Sequence, residues 1–470
     1  MPTKSVSQII LIGLVFCGLQ FQAACGGGHK SKSGPEVSTL DFPPAGGNAT
    51  LSNRTSGAYT FPATNLHDDE LNLHTLGDAL FDKVYESTAG SADSGLGPLF
   101  NNVSCRSCHI LNGRGRSLMG DDGGARSPML TRISIDPSAL AQFPGSLPSP
   151  GNGPIGVPGL GGQLQDYSAF GVQPEAHITL TWVDVPGSYP DGTTYILRRP
   201  VQTFTGVNEA LLNTPGVLKS IRQTPPVFGL GLLEAVPDDT LLALEDPTDK
   251  NGDGIKGHLN RVWDPVKGSL AIGRFGWKAS APSVLVQTAN ALAEDMGVSN
   301  PLRPEVNGSS DINNDALVQT AYYAQTLAVP ARSTVRDATT NAGGNLFVSI
   351  GCESCHKSQL TTGNTYAIVS LRNQTFSPFT DLLLHDMGEG LADHRPDFAA
   401  SGSEWRTQPL WGIGLSQTVL PGSAYLHDGR AHSFEEAILW HGGEAQKSQE
   451  AFKKLPLDQR KAVLNFLKSL

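Results

Sequence analysis

Charged residues and long apolar runs are scarce in this chain of 470 residues. Charged residues make up only 17% of it and its formal net charge is −10, which speaks against a nucleic-acid partner because phosphate binding needs a basic surface. After residue 25 no apolar run is long enough to span a membrane, so we expect membrane association only through a lipid anchor. Glycine and proline are abundant instead, at 53 and 32 residues, and indicate many loops around short elements.

The few cysteines fall into a pattern that indicates covalent haem binding. Cys17 and Cys25 lie near the N-terminus, and the other four form two C-x-x-C-H motifs, Cys105-Cys108-His109 and Cys352-Cys355-His356. In such a motif two thioethers attach the porphyrin and the adjacent imidazole ligates the iron. A zinc ribbon is the alternative, but its cysteine pairs lie close together, whereas about 240 residues separate these two. We therefore predict two c-type haems and no structural disulfide.

Two further repeats accompany the motifs. Gly97–Phe100 and Gly344–Phe347 both read G-x-L-F, and four residues separate each from the first cysteine of its motif, which predicts a short helix that packs over each haem. Arg222 and Arg406 each begin a segment that reads Arg-x-x-Pro and then Gly-[Leu/Ile]-Gly-Leu. We interpret this segment as the distal wall of each haem pocket, with glycines that allow close approach to the porphyrin and an arginine that pairs with a haem propionate.

Residues 1–25 resemble a signal peptide of the lipoprotein type. Lys4 precedes an apolar run of signal-peptide length, and small residues precede Cys25, the expected lipidated first residue of the mature protein. Ordinary signal cleavage nearby is the alternative. Residues 26–60 are predicted to form a flexible tether. We expect a location in the periplasm or at the outer membrane, lipid-anchored through Cys25, or else a soluble periplasmic or secreted protein.

The rest of the chain predicts a mainly α fold, with two cytochrome c-type haem domains, long loops and a small β-hairpin insertion. Helical patterns include residues 208–223 and the amphipathic segment 455–470, which is typical of the helix that crosses the first helix of a cytochrome c domain. Residues 118–165 are predicted to be irregular, and residues 177–200 alternate around Pro-Asp-Gly, which predicts a hairpin. We place the N-terminal haem domain at residues 61–335 and the C-terminal cytochrome c domain at residues 336–470.

Several segments together resemble the bacterial di-haem cytochrome c peroxidase superfamily, and most closely its branch of di-haem oxidoreductases, named as peroxidases or thiol oxidoreductases. They include the two motifs, "NGDGIKGHLNRV", "GRFGWKA", "LAVPAR", "LLLHDMG" and "AYLHDGRAHSFEEAILWHGG", and they run from about residue 70 to the C-terminus. The resemblance implies a division of labour: one haem keeps two axial ligands and relays electrons, and the other has an open position for peroxide.

The resemblance also points to a second axial ligand for the His356 haem. His441 stands where relatives carry a methionine ligand, and imidazole in that position would lower the reduction potential. Met387, His385 and His427 are the competing candidates.

The first haem is predicted to have the open position, because no His or Met occurs at residues 110–118 after His109. Glu234 ends the repeated wall segment in the first half, where the second half reads "GLSQ". We therefore predict Glu234 as the acid–base group of the open haem. An exposed glutamate at a helix start, without a role in chemistry, is the alternative.

Two more features complete the predicted site. Trp277 falls between the haem domains in sequence, and the resemblance implies an inter-haem tryptophan that speeds electron transfer; a core tryptophan is the alternative. Asp249, Asn251 and Asp253 have the spacing of a calcium loop, but Asn260 stands where a bidentate glutamate belongs. The resemblance implies a calcium ion between the domains.

The predicted function is a di-haem oxidoreductase that reduces hydrogen peroxide at the N-terminal haem with electrons relayed through the C-terminal haem. A small redox protein is the expected electron donor, and hydrogen peroxide or another small oxidant the expected substrate. A pure electron-transfer cytochrome and an oxygenase-like oxidase are the alternatives. Thiol oxidoreductase activity has no support, because haem attachment uses both C-x-x-C pairs.

Overall fold

A computed structural model describes residues 42–119, 128–333 and 337–470. The described residues all belong to one compact unit. The predicted signal peptide, Cys25 and the first part of the predicted tether lie outside the described residues, as does the predicted domain boundary at 335/336. No helix of the described ranges is long and apolar enough to cross a membrane.

Among the described residues the helices are α1 Asp68–Asp82, α2 Cys105–Cys108, α3 Glu209–Leu212, α4 Leu230–Glu234, α5 Asp238–Leu244, α6 Val284–Met296, α7 Asn314–Thr326, α8 Ala338–Ser349, α9 Ser416–Val419, α10 Phe434–Leu439, α11 Gln446–Lys454 and α12 Leu457–Ser469. The strands are β1 Thr50–Leu51, β2 Leu99–Phe100, β3 Met129–Ile135, β4 Pro148–Ser149, β5 Gly153–Ile155, β6 Gln163–Leu164, β7 Tyr167–Ser168, β8 His177–Ser188, β9 Thr194–Thr205, β10 Val217–Gln223, β11 Arg261–Asp264, β12 Ser269–Ile272, β13 Val329–Pro330, β14 Leu360–Thr361, β15 Thr375–Phe376, β16 Leu384–Asp386 and β17 Glu404–Arg406.

The predicted mainly α class is wrong, because the fold contains 32% helix and 21% strand. Strand β3 pairs with β5, β6 and β10 in a five-stranded antiparallel sheet that β4 completes. Most of its strands lie in the stretch predicted to be irregular. Strand β10 lies in the stretch predicted to be helical, and its pairing with β3 over seven residues outweighs the local helical pattern. A small separate core that includes Ile133 and Leu164 forms on this sheet.

The predicted hairpin is confirmed as the pair β8–β9, whose register runs from His177 opposite Thr205 to Ser188 opposite Thr194. Its tip reaches the C-terminal part of the chain. Tyr189 donates a hydrogen bond to Glu435 on α10 at 2.6 Å, and Arg460 on α12 pairs with Asp191 at 3.0 Å. The ribbon therefore fastens the middle of the sequence to the helix that precedes His441.

The same helix crossing occurs twice, once in each half of the chain. Helix α1 packs on α7, and α8 packs on α12, which confirms the predicted crossing by the C-terminal helix. A glycine lies at each contact: a Cβ at Gly77 would stand 2.1 Å from the Gln319 carbonyl oxygen, and one at Gly343 would stand 1.9 Å from that of Ala462. Only a residue without Cβ allows the two backbones to approach this closely.

The predicted tether is packed where the structure describes it. Strand β1 pairs in parallel with β13, and the Tyr59 hydroxyl, which is buried, donates to the Gly412 carbonyl at 2.7 Å. Residues 42–60 therefore belong to the folded unit, because their apolar side chains join its main core.

Candidate haem sites

The first motif begins with the single-turn helix α2. Ser104 caps this helix, since its hydroxyl accepts from the Ser107 amide at 3.1 Å. The Nδ1 atom of His109 lies 2.8 Å from the Pro225 carbonyl oxygen, so Nδ1 carries the proton and Nε2 is the ring nitrogen left for a metal. Burial lowers the pKa of His109 to about 4, which keeps the imidazole neutral, as ligation requires.

The second motif repeats this arrangement. His356 Nδ1 lies 3.0 Å from the Phe379 carbonyl oxygen, and burial again lowers the pKa of the histidine to about 4. None of the four motif cysteines forms a disulfide in the described part of the chain, and burial raises the pKa of Cys105 and of Cys352 to about 12. Cys105 and Cys352 therefore lack the lowered pKa of a redox-active thiol, which agrees with haem attachment as their use.

The helix predicted from the G-x-L-F repeat forms only at the second motif. Gly344–Phe347 lies in helix α8 as predicted, but Leu99 and Phe100 form strand β2 and pair with β7. The helix that precedes the first motif is α1, which carries Gly77-x-x-Leu-Phe81, and α8 carries Gly343-x-x-Leu-Phe347. Phe81 stands 6.1 Å from the His109 ring, and Phe347 stands 6.2 Å from the His356 ring. An insertion between α1 and the first motif hides this repeat from spacing alone.

The repeated Arg-Pro-Gly segment does not lie on the distal side. In the first half its Pro225 carbonyl accepts from the motif histidine, and in the second half the Leu410 amide donates to Pro378, next to Phe379. Both segments therefore lie on the side of the motif histidine. Close packing against a helix end, and not against the porphyrin, explains why these segments contain glycine. A Cβ at Gly231 or Gly414 would stand 2.2 Å from a carbonyl oxygen at the end of α7 or α12, respectively.

A separate cavity lies beside each motif. Its volume is about 250 Å³ beside His109 and about 190 Å³ beside His356. Four residues line both cavities and form a shared wall: Arg114, Trp277, Arg406 and Gln408. Trp277 is buried in this wall, and its indole nitrogen donates to the Gln223 carbonyl at 2.7 Å. The structure thus places Trp277 between the two cavities, where an inter-haem tryptophan would have to lie.

The charges of the cavity walls fit haem propionates. Arg114, Arg222 and Arg406 are all buried, and in each the Nη1 atom has no hydrogen-bond partner. A buried, unpaired guanidinium nitrogen is costly, and a carboxylate is the group that it pairs with best. Arg222 and Arg406 were predicted for this role. Arg114 was missed, although its position five residues after the first motif histidine was a usable signal.

The second cavity contains all four candidates for its second axial ligand. His441 is half-buried, and its Nδ1 lies 2.7 Å from the Ala437 carbonyl, which leaves Nε2 free. His385 is engaged at both ring nitrogens, with Asp381 at 2.9 Å and Glu444 at 2.8 Å.

His427 stacks flat on Trp405 at 3.7 Å, and Met387 packs in the cluster formed around Trp277, Leu391 and Trp405. Of the four candidates, His441 therefore has the geometry of a ligand, whereas the other three side chains have structural contacts that account for them.

Replacing His441 tests this assignment. If His441 ligates the His356 haem, His441→Ala will remove the low-spin signal of one haem only, and His441→Met will raise its reduction potential. Electron paramagnetic resonance and a redox titration measure both effects. Met387→Leu is the control and should leave that signal unchanged; the opposite pattern would transfer the role to Met387.

Glu234 lies outside the lining of the first cavity. Its carboxylate accepts hydrogen bonds from the Val284 amide at 2.7 Å, from Gln325 at 2.5 Å and from the Tyr366 hydroxyl at 2.5 Å. These bonds fix the start of α6 and join it to α7 and to the loop that carries Tyr366. Glu234 is half-buried at the end of α4, so it is not the exposed glutamate at a helix start that was the alternative. Its three hydrogen bonds account for it as a structural residue, and the predicted acid–base role has no support in its position.

Another carboxyl group does line the first cavity. Helix α6 lines this cavity with residues along its length, and both Glu294 and Asp295 near its end are among them. Asp295 accepts a hydrogen bond from Gln163 at 2.8 Å, and burial raises its pKa from 3.8 to about 7. The neighbouring Glu294 is different: burial opposes its ionisation, but Arg132 outweighs this and its pKa is lowered. Asp295 was not among the residues predicted from the sequence.

The predicted calcium loop is an exposed turn whose polar groups largely bind one another. Asp249 accepts from the Gly254 amide at 3.1 Å, and Asn251 donates to Asp253 at 3.0 Å. Asn260 points into the core, where it donates to the Lys278 and Asp397 carbonyls. The three predicted ligands therefore lie in one loop, but the Asn260 side chain at the twelfth position points away from it.

Two cavities, each with a C-x-x-C-H motif and a shared tryptophan–arginine wall, define a protein with two haem sites. The sequence matches the family described as "Di-haem oxidoreductase, putative peroxidase" over residues 40–319 and 304–470. The chain belongs to this di-haem oxidoreductase family.

No curated protein gives a significant match. Among solved structures, the chain is similar to a hydrazine synthase of Kuenenia stuttgartiensis pressurized with xenon, with 13% identity, 99% of this chain and 100% of that chain covered, and a TM-score of 0.36. A TM-score this low does not establish a common fold.

Proposed function

We propose that the protein is a c-type di-haem peroxidase, which reduces hydrogen peroxide in the first cavity with electrons that arrive through the second. The observation that carries the proposal is the pair of cavities joined by one wall, each next to a neutral motif histidine. Family membership supports two haems and oxidoreductase chemistry. We further propose covalent attachment through the four motif cysteines, and hydrogen peroxide as the substrate.

Haem iron in the first cavity would supply the redox chemistry, and the surrounding residues would control ligation and protons. His109 offers Nε2 on one side. Asp295 has a pKa near neutrality, so it can both accept and return a proton at physiological pH. Trp277, in the wall common to both cavities, would carry electrons between them.

The difference between the cavities favours a peroxidase over a pure electron-transfer protein. The second cavity holds His441 with a free Nε2 and can fill both axial positions. The first is lined by no histidine other than His109 among the described residues, and by no methionine other than Met296. Met296 is buried in a small apolar core with Leu292 and Leu317, which accounts for it as a packing residue.

We propose that the protein acts in the periplasm or at the outer membrane, lipid-anchored through Cys25, with a small redox protein as its electron donor. The support is the N-terminal sequence pattern and the location of c-type haem attachment outside the cytoplasm. Calcium binding at Asp249, Asn251 and Asp253 stays a prediction, which the missing twelfth ligand weakens.

Haem counting and turnover test the proposal together. Holoprotein made with full c-type maturation should give two haems per chain in a pyridine haemochrome assay, and it should oxidise a reduced cytochrome or dye only when peroxide is added. A count below two would contradict haem binding in both cavities. Two haems without peroxide turnover, and with no cyanide binding, would favour a pure electron-transfer protein.

A further inference from the structure

Arg114 belongs to the first half of the chain but lines both cavities. Its backbone is held on both sides: the Gly113 amide donates to the Ile110 carbonyl at 3.0 Å, and the Gly115 amide donates to Thr224 at 3.2 Å. Asn112, in the left-handed region with φ 59°, fixes the turn by donating to the Tyr323 hydroxyl at 2.8 Å. These bonds fix the backbone from which the Arg114 side chain reaches the shared wall.

The charge of Arg114 has no counter-charge in the described part of the chain. The residue is 7% exposed, its Nη1 has no partner, and the ring of Tyr425 lies 5.5 Å from the guanidinium carbon. Arg222, by contrast, pairs with Asp393 at 3.0 Å. A guanidinium stays ionised in proteins, and a buried ion without a partner is strongly destabilising. An anion that enters with the cofactors would remove this cost.

We propose that Arg114 is an electrostatic bridge between the two haems, held by a propionate of each, and that its charge raises both reduction potentials. The proposal rests on haem binding in both cavities, as proposed above. A guanidinium has five N–H donors in a planar fork, so it can serve two carboxylates on different sides. A fixed positive charge disfavours the more positive ferric state, and it does so for every iron near it.

Two glutamine variants separate the bridge from an ordinary propionate contact. Arg114→Gln and Arg222→Gln each remove one buried charge, but Arg222 lines only the first cavity. In a spectroelectrochemical titration of two-haem holoprotein, Arg114→Gln should lower the midpoint potentials of both haems. Arg222→Gln should lower that of the first haem more than that of the second. A shift of a single midpoint in Arg114→Gln, or of neither, overturns the bridge.

A charge-conserving variant keeps the test decisive if Arg114→Gln does not load both haems. Arg114→Lys keeps the charge but loses the fork, so both midpoints should stay near those of the wild type. Resonance Raman bands of propionate bending should nevertheless move for both haems. A change for one haem only would again overturn the bridge. A wild-type protein with fewer than two haems would contradict the proposed function instead, and the haemochrome assay detects that separately.

Discussion

Asp295→Asn is expected to lower the rate of the peroxide reaction by about 10²–10⁴-fold while both haems stay bound. Cleavage of bound peroxide needs a proton taken from one oxygen and returned to the other, and asparagine cannot transfer one. The wild-type rate should rise with pH around a midpoint of about 7, where Asp295 ionises, and this dependence should disappear in the variant. Stopped-flow mixing with peroxide across this pH range measures both effects.

Glu234→Gln is the matched control, because this carboxylate binds three groups outside the cavity. It should lower thermal stability and leave the peroxide rate unchanged. The reverse result, a slow Glu234→Gln and a normal Asp295→Asn, would return the acid–base role to Glu234.

The same ionisation also has a consequence for stability. Because the folded-state pKa of Asp295 is raised above its unfolded value, the folded state holds a proton that the unfolded state releases between about pH 4 and pH 7. Stability contributed by this group is complete below that window and falls as the pH rises through it. Asp295→Asn should remove this part of the pH dependence.

Gly343→Ala is expected to destabilise the protein by about 3 kcal/mol or more, at the upper end of the range for overpacked sites. The new methyl group would stand 1.9 Å from the Ala462 carbonyl oxygen, so α8 and α12 would have to separate. Since α8 leads directly into the second motif, the His356 haem should become labile first. Thermal denaturation followed in the haem absorbance measures this.

Val348→Ala on the exposed side of α8 is the control and should change the melting temperature little. Gly77→Ala should have a similar effect on the first half, where the same kind of contact reaches the Gln319 carbonyl. If both glycine variants melt like the wild type, the helices must cross further apart than the distances of 1.9 and 2.1 Å imply.

Sequence reasoning found the parts of this protein in which chemistry fixes the residue type. The two motifs, Trp277, His441, Arg222 and Arg406 all lie in or between the cavities. It failed where the role of a residue depends on the direction in which its side chain points. Glu234 and Asp295 are both half-buried acids at the ends of helices, and only the packing of α4 and α6 decides which of them faces the cavity.

Secondary structure was predictable only where its pattern was local. Strands β8 and β9 could be predicted because apolar and polar residues alternate on both sides of a turn. Strand β10 has no such signal, because its partner β3 lies about 80 residues earlier in the chain. The helix repeat was hidden for a related reason: an insertion separates Phe81 from Cys105, while Phe347 stands five positions before Cys352.

The common wall also means that neither half is a complete cytochrome. Arg114 and Trp277 precede the second motif in the chain and line the second cavity, while Arg406 and Gln408 follow it and line the first. Separating the halves would leave each cofactor with a face open to water. Loss of either cofactor would likewise expose the other to water. We therefore expect the two sites to mature and unfold as one cooperative unit.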